Sequence, residues 1–166
     1  MKPDDKQRNY ERAEELLAEQ NFAAALIGGA VAMVLGAAFY GIVTASAGFT
    51  YGFAAVAIGM AVGGSMQYLG RGIEAKFAAA AAIYTLIGCL LGNVFKRVLP
   101  FLANGGSLAE LFEGISFSDI LGWAVRDVSV IDLVFWLVGI WFAIFLVKRS
   151  LSRVDRLAIG MYMMKD

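Results

Sequence analysis

The chain has 166 residues, of which 60% are hydrophobic and 17% charged, and its mean hydropathy is +0.69. This composition differs from that of soluble domains and is typical of a membrane protein. Lys plus Arg and Asp plus Glu both total 14, so the basic excess that nucleic-acid binding needs is missing. The sequence has no histidine and a single cysteine, Cys89, which removes the usual general base and Cys-rich metal sites. We therefore predict no catalytic residue, no metal, no cofactor and no nucleic-acid partner.

Residues 1–21 are highly charged and carry apolar residues at roughly helical spacing, such as Tyr10, Ala13, Leu16 and Leu17. This pattern predicts an amphipathic helix that begins near residue 4 and ends at residue 21. Its polar face is rich in Glu, whereas a helix lying on a membrane surface would carry Lys and Arg there. We therefore expect a cytoplasmic helix that faces a soluble partner or the solvent.

Four apolar runs are long enough to cross a hydrocarbon core of about 30 Å. The predicted spans are residues 22–47, 51–69, 77–95 and 130–147. Pro100 is expected to stop the third helix. The predicted fold is an all-α integral membrane protein with one four-helix membrane domain at 22–147, followed by a basic cytoplasmic tail at 148–166.

The segment between the third and fourth spans mixes apolar and acidic residues. Asn104 to Ser107 has the composition of a turn, and no stretch of residues 100–129 is long enough to span. We predict one or two short helices there, lying on the membrane or capping the bundle.

Lysines and arginines near the span ends predict the orientation. Eleven of them belong to the first segment, the turn after the second span and the tail, whereas only Lys96, Arg97 and Arg126 belong to the loop after the third span. Both termini are therefore predicted to be cytoplasmic.

Small residues recur at spacings that let membrane helices approach closely. The predicted packing positions on three spans are Gly28, Ala32, Gly36, Gly59, Gly63, Gly88 and Gly92, and Gly48 with Gly52 forms a further pair. Each pair is expected to pack within the chain, with self-association as the alternative. Since these faces outnumber the needs of a four-helix monomer, we expect a homo-oligomer or a larger membrane complex.

The third span carries a mildly polar stripe formed by Thr85, Cys89 and Asn93. Hydrogen bonds between helices explain this stripe, and the alternative is the lining of a pore shared by several subunits. Cys89 alone is expected to be a packing residue.

Asp132 is expected near the membrane boundary, because residues 133–147 would be only about 22 Å long. It is interpreted as a helix-cap acid. The alternative is an ion pair with Lys96, Arg97 or Arg126 that holds the loop over the bundle.

The basic residues after the fourth span are Lys148, Arg149, Arg153 and Arg156. They are interpreted as topology determinants, and contact with anionic lipid headgroups is the alternative.

Residues 59–93 combine a glycine-rich span, an Arg71-Gly72 turn, Lys76-Phe77 and a span that ends in Gly92-Asn93. This block, about a fifth of the chain, resembles a membrane hairpin found in uncharacterised bacterial proteins. The resemblance implies a bacterial inner membrane and brings no catalytic residue with it.

Two functions fit these features. The first is a non-enzymatic membrane subunit, an anchor or scaffold whose first helix and tail hold a partner. The second is an oligomeric channel or membrane-perturbing effector, motivated by the polar stripe and the many small-residue faces. A membrane enzyme that uses Asp119, Asp127 and Asp132 is disfavoured, because their spacing matches no metal-ligand signature.

Overall fold

The computed structural model describes residues 3–47, 52–126 and 128–164. The described residues form eight α-helices: α1 (Pro3–Ala18), α2 (Phe22–Ala47), α3 (Phe53–Gly70), α4 (Ala75–Ala103), α5 (Leu108–Gly114), α6 (Phe117–Val125), α7 (Val130–Val147) and α8 (Arg153–Met163). Four of them, α2, α3, α4 and α7, are long and apolar enough to cross a membrane. The prediction of an all-helical chain with four such helices is confirmed.

The four long helices form a bundle in which α3 and α4 each contact the other three. Its core contains large side chains from all four helices, including Tyr40, Ile58, Phe77 and Trp136. Many aliphatic and aromatic side chains on the outside of the bundle are exposed, among them Leu35, Leu137 and Trp141. An extended apolar exterior around an apolar core is what helices surrounded by lipid require.

Two pairs of small residues bring α3 and α7 into backbone contact. A Cβ atom added at Gly59 would overlap the carbonyl group of Gly139, and one added at Gly139 would lie 2.6 Å from the Ala55 carbonyl oxygen. One turn further along, a Cβ at Gly63 would lie 2.7 Å from the Ala143 oxygen. Gly59 and Gly63 of α3 therefore face Gly139 and Ala143 of α7, as in other small-residue membrane interfaces.

The other predicted packing residues also face helices of the same chain. Gly28 faces Leu69, Gly36 and Gly88 face Ile58, Gly92 faces the Tyr40 ring, and Ala32 packs against the core. Gly48 lies outside the described residues, and Gly52 packs under the Phe135 ring. The described members of these small-residue faces thus make contacts within one bundle.

Pro100 does not stop the third long helix, and this prediction is wrong. α4 continues through Pro100 and ends at Ala103. Proline lacks one backbone N–H, and a helix can continue beyond that missing bond when the following residues keep helical angles. The stop comes from Gly105, whose φ of +90° places it in the left-handed region. There the N–H of Gly106 bonds the Phe101 carbonyl at 3.1 Å, as in a Schellman turn.

The first helix also ends earlier than predicted, at Ala18 rather than residue 21. Asn21 serves the next helix instead, because its Oδ1 accepts a bond from the Ala24 N–H at 2.9 Å. Asparagine is a favoured N-cap residue for this reason.

The segment between α4 and α7 contains the two short helices α5 and α6. Each begins with a capping box, formed by Ser107 with Glu110 and by Ser116 with Asp119. α6 packs against α4.

Candidate functional site

Helices α1 and α8 pack against each other to form a unit that we call the cap. Ala13 and Leu16 of α1 are buried against Ala158 and Ile159 of α8. The apolar stripe of α1 is therefore covered within the chain, by α8. Only the charged face of α1 is left for a soluble partner.

Ion pairs hold the cap together and fix it to the bundle. Arg12 Nε lies 3.1 Å from Asp155 Oδ1, which joins α1 to α8. Glu19, just after α1, binds Arg149 at 2.6 Å and lies 3.7 Å from Arg71. The hydrogen bond from Arg149 lowers the pKa of Glu19, and bonds from Ser152 and Arg12 lower the pKa of Asp155.

Hydrogen bonds to main-chain groups connect the cap to the turn between α3 and α4. The side-chain oxygen of Gln20 accepts bonds from the Ile73 and Glu74 N–H groups at 2.8 and 3.3 Å. The Arg149 N–H donates to the Gly72 carbonyl at 3.0 Å. The segments that connect α1 and α8 to the bundle thus bond to the same turn, so the cap has a fixed position at the end of the bundle where α3 ends and α4 begins.

The lowered pKa values of Glu19 and Asp155 predict a pH response of the cap. A carboxylate with a lower pKa in the folded than in the unfolded chain stabilises the fold above its unfolded pKa, and this stability is lost as the pH falls through the folded pKa. We expect the amides of α1 and α8 to lose hydrogen-exchange protection between about pH 5 and pH 3, while α3 and α4 keep theirs. Glu19→Gln should weaken this response, and parallel loss in all helices would contradict the prediction.

A basic cleft lies beside the cap, between the last turns of α3 and α7 and the start of α8. It encloses about 620 Å³. Its lining residues are Gln67, Ile73, Phe145, Leu146, Lys148, Arg149, Ser150, Leu151 and Arg156. Of the four basic residues interpreted as topology determinants, with lipid headgroup contact as the alternative, three line this cleft, and Arg153 is exposed at the start of α8, outside the lining.

Comparison with known proteins finds no match. No family model, no curated protein and no solved structure matches the chain. The resemblance of residues 59–93 to bacterial membrane hairpins stays a prediction. Within that block, Arg71 adopts a left-handed φ of +47° at the end of α3, and Lys76 lies 5.5 Å from the centre of the Phe22 ring.

The predicted polar stripe of the third span lies inside the bundle. Thr85 and Cys89 are fully buried and Asn93 is 3% exposed. Thr85 donates to the Ala81 carbonyl at 2.8 Å in its own helix, and Asn93 Nδ2 donates to the Ala124 carbonyl of α6 at 2.9 Å. These side chains therefore do not lie on an outer face, where neighbouring subunits could share a pore.

Replacing Asn93 with leucine is expected to loosen α6. The substitution leaves the Ala124 carbonyl without this donor, and hydrogen bonds between membrane helices contribute about 1 kcal/mol. Hydrogen exchange of the α6 amides should quicken about fivefold, which is the same free energy expressed as a rate ratio. Asn104→Leu is the control, because the Asn104 side chain bonds only locally, to the Pro100 carbonyl at 2.9 Å. An unchanged α6 in Asn93→Leu would contradict the prediction.

Asp132 is buried at the start of α7 and forms a capping box with Ser129. Its Oδ2 accepts from the Ser129 N–H at 2.9 Å and from the Ser129 hydroxyl at 2.8 Å. These bonds are those of a helix cap. Of the cations considered as ion-pair partners of Asp132, Arg97 lies 5.9 Å from the Trp123 ring centre. Asp127 lies outside the described residues.

Three buried polar atoms have no hydrogen-bond partner among the described residues: the Tyr40 hydroxyl, the Thr44 hydroxyl and the Trp136 indole nitrogen. Tyr40 and Trp136 both belong to the core of the bundle, and Thr44 lies one turn after Tyr40 on α2. Each such atom carries a desolvation cost of about 1–3 kcal/mol. These three atoms are thus a costly part of the core, and no sequence pattern indicated Trp136 as one of them.

Proposed function

We propose that the chain is a non-enzymatic integral membrane subunit that anchors a partner at the cytoplasmic side of a bacterial inner membrane. The observation that carries this proposal is the attachment of the cap to the membrane-length helices. Bonds of Gln20, Glu19 and Arg149 hold two amphipathic helices at a fixed place. A partner bound there would be held at a constant distance and orientation from the bilayer.

The charge of the exposed cap surface favours a partner with a charged binding surface. Glu11, Glu14 and Glu15 are exposed on α1, while the apolar stripe of the same helix is covered by α8. A basic surface on the partner would complement these acids, and complementary charge speeds encounter and selects partners. We therefore place the contact on the acidic face of α1.

The orientation in this proposal follows from charge. Most Lys and Arg residues of the chain belong to the segments at the cap end, and such segments stay cytoplasmic. A reporter fused after Asp166 should be active only as a cytoplasmic protein, whereas one inserted between α5 and α6 should behave as translocated. The opposite pattern would overturn the orientation.

The partner is tested by cross-linking in cells, extraction in mild detergent and mass measurement of the intact complex. A second protein should accompany the wild-type chain, and Glu14→Lys should remove most of it. Glu113→Lys is the matched control, because it reverses one exposed charge on α5, away from the cap. Copies of this chain alone, or equal loss in both variants, would overturn the anchor proposal.

A further inference from the structure

The basic cleft has two cations that are not neutralised within the described part of the chain. Lys148 and Arg156 form no ion pair with a described carboxylate, and Arg156 Nε donates only to the Leu151 carbonyl at 3.3 Å. Arg149 differs, because Glu19 binds it. None of the lining residues is acidic. The cleft thus concentrates positive charge.

The backbone at Lys148 is held in place by bonds to other parts of the chain. Gln67 Nε2 donates to the Lys148 carbonyl at 3.0 Å, and the Arg149 N–H donates to the Gly72 carbonyl at 3.0 Å. These bonds attach the segment after α7 to the last turn of α3 and to the turn that follows it. Less ordering is therefore required when an anion binds.

The cleft also has an apolar wall that belongs to a membrane-length helix. Phe145 and Leu146 lie in the last turn of α7, directly before Lys148, and Phe145 is 63% exposed. An apolar surface followed along the helix axis by basic side chains matches the order of acyl chain and phosphate in a phospholipid at the membrane boundary.

We propose that this cleft is a binding site for the phosphate of an anionic phospholipid, with Lys148 and Arg156 at the phosphate and Phe145 against an acyl chain. A soluble phosphate compound would use the same two cations but would gain nothing from the apolar wall. The continuity between wall and cations therefore favours the lipid. This inference goes beyond the anchor function, because it concerns a different surface and a different class of ligand.

The test is native mass spectrometry of the purified chain in detergent with added phosphatidylglycerol or phosphatidylcholine. The wild-type chain should bind the anionic lipid more tightly than the zwitterionic one. A contact near the membrane surface contributes about a fivefold change in affinity per Lys or Arg. Lys148→Gln with Arg156→Gln should therefore weaken phosphatidylglycerol binding about 25-fold.

Arg153→Gln is the matched control, because it removes one charge from the same segment but does not line the cleft. It should stay within about twofold of wild type, since single exposed charges contribute little to a site that they do not touch. A loss of about fivefold in Arg153→Gln, the share of one charge, would assign the effect to general surface charge and overturn the site. Thermal unfolding of each variant shows whether it is still folded.

A second measurement distinguishes a phospholipid from a soluble phosphate compound as the ligand. Soluble sn-glycerol 3-phosphate should bind more weakly than phosphatidylglycerol, because it lacks acyl chains to contact the wall. Equal affinities would identify a soluble phosphate site and overturn the lipid assignment. Loss of cap-dependent partner capture with intact lipid binding would leave this inference standing while the anchor function fails.

Discussion

Replacing Gly59 with alanine is expected to separate α3 from α7 and to be among the most damaging single-methyl changes in the bundle. The new methyl group would overlap the Gly139 carbonyl, which is backbone and not a flexible side chain. One of the two helices must therefore move, and this movement also strains the contacts of Gly63 and Ala143 one turn away. We expect a loss of about 3 kcal/mol, the upper part of the range for overpacked interiors.

Unfolding of the purified protein in mixed micelles, with increasing denaturing detergent, measures this loss. Gly64→Ala is the matched control, because Gly64 lies in the same helix and a Cβ there would meet no atom within 4 Å. That variant should keep or slightly gain stability, since alanine favours a helix over glycine by about 1 kcal/mol. If both variants lost the same stability, the backbone contact between α3 and α7 would not be the cause.

The ends of one span and the start of another agree with the sequence prediction. The predicted range 130–147 agrees with α7 (Val130–Val147), and the predicted start at residue 22 agrees with that of α2 (Phe22–Ala47), whose end borders residues outside the described part of the chain. Lipid requires a long apolar run, and Asn21, Ser129 and Lys148 flank these three ends, so the local sequence carries this information. α4 is longer than predicted because Gly105, with its left-handed φ, ends it, and the proline before it does not.

The partners of the glycines could not be predicted, because the relative register of two helices depends on contacts between distant residues. The sequence indicated Gly59 and Gly63 as a packing pair. The corresponding pair on α7, Gly139 and Ala143, has the same four-residue spacing. It was not recognised as a packing pair, because large aromatic residues surround it in the sequence. Within the described residues, each glycine predicted as a packing position faces another helix or connecting segment of the same chain.

The candidate site was predicted only in part. Charge alone indicated Lys148, Arg149 and Arg156, but the cleft also needs Gln67 and Ile73, which are far away in the sequence. Helix α8 was missed because its segment was interpreted by charge and not by periodicity. Ser152 followed by Asp155, with apolar residues after them, is a helix-start signal that was present.

The second large effect is expected from Ile159→Asp, which should separate α8 from α1. Ile159 is 8% exposed and packs with Ala13 and Leu16 in the small core of the cap. An aspartate there would place an unpaired carboxylate against apolar side chains, which costs several kcal/mol. Since α1 and α8 have only 16 and 11 residues, neither is expected to stay helical without the other.

Hydrogen exchange measures this separation directly. In Ile159→Asp, protection of the α1 and α8 amides should fall at least tenfold, while the amides of α3 and α7 keep theirs, because the bundle has its own core. Leu157→Asp is the matched control: it introduces the same group two residues earlier on α8, at a side chain that is 67% exposed. Equal loss in both variants would mean that charge on α8, and not burial at Ile159, controls the cap. If only Ile159→Asp releases the helices, the same variant should also lose the partner captured by the wild-type chain, since the acidic face of α1 would no longer be held against the bundle.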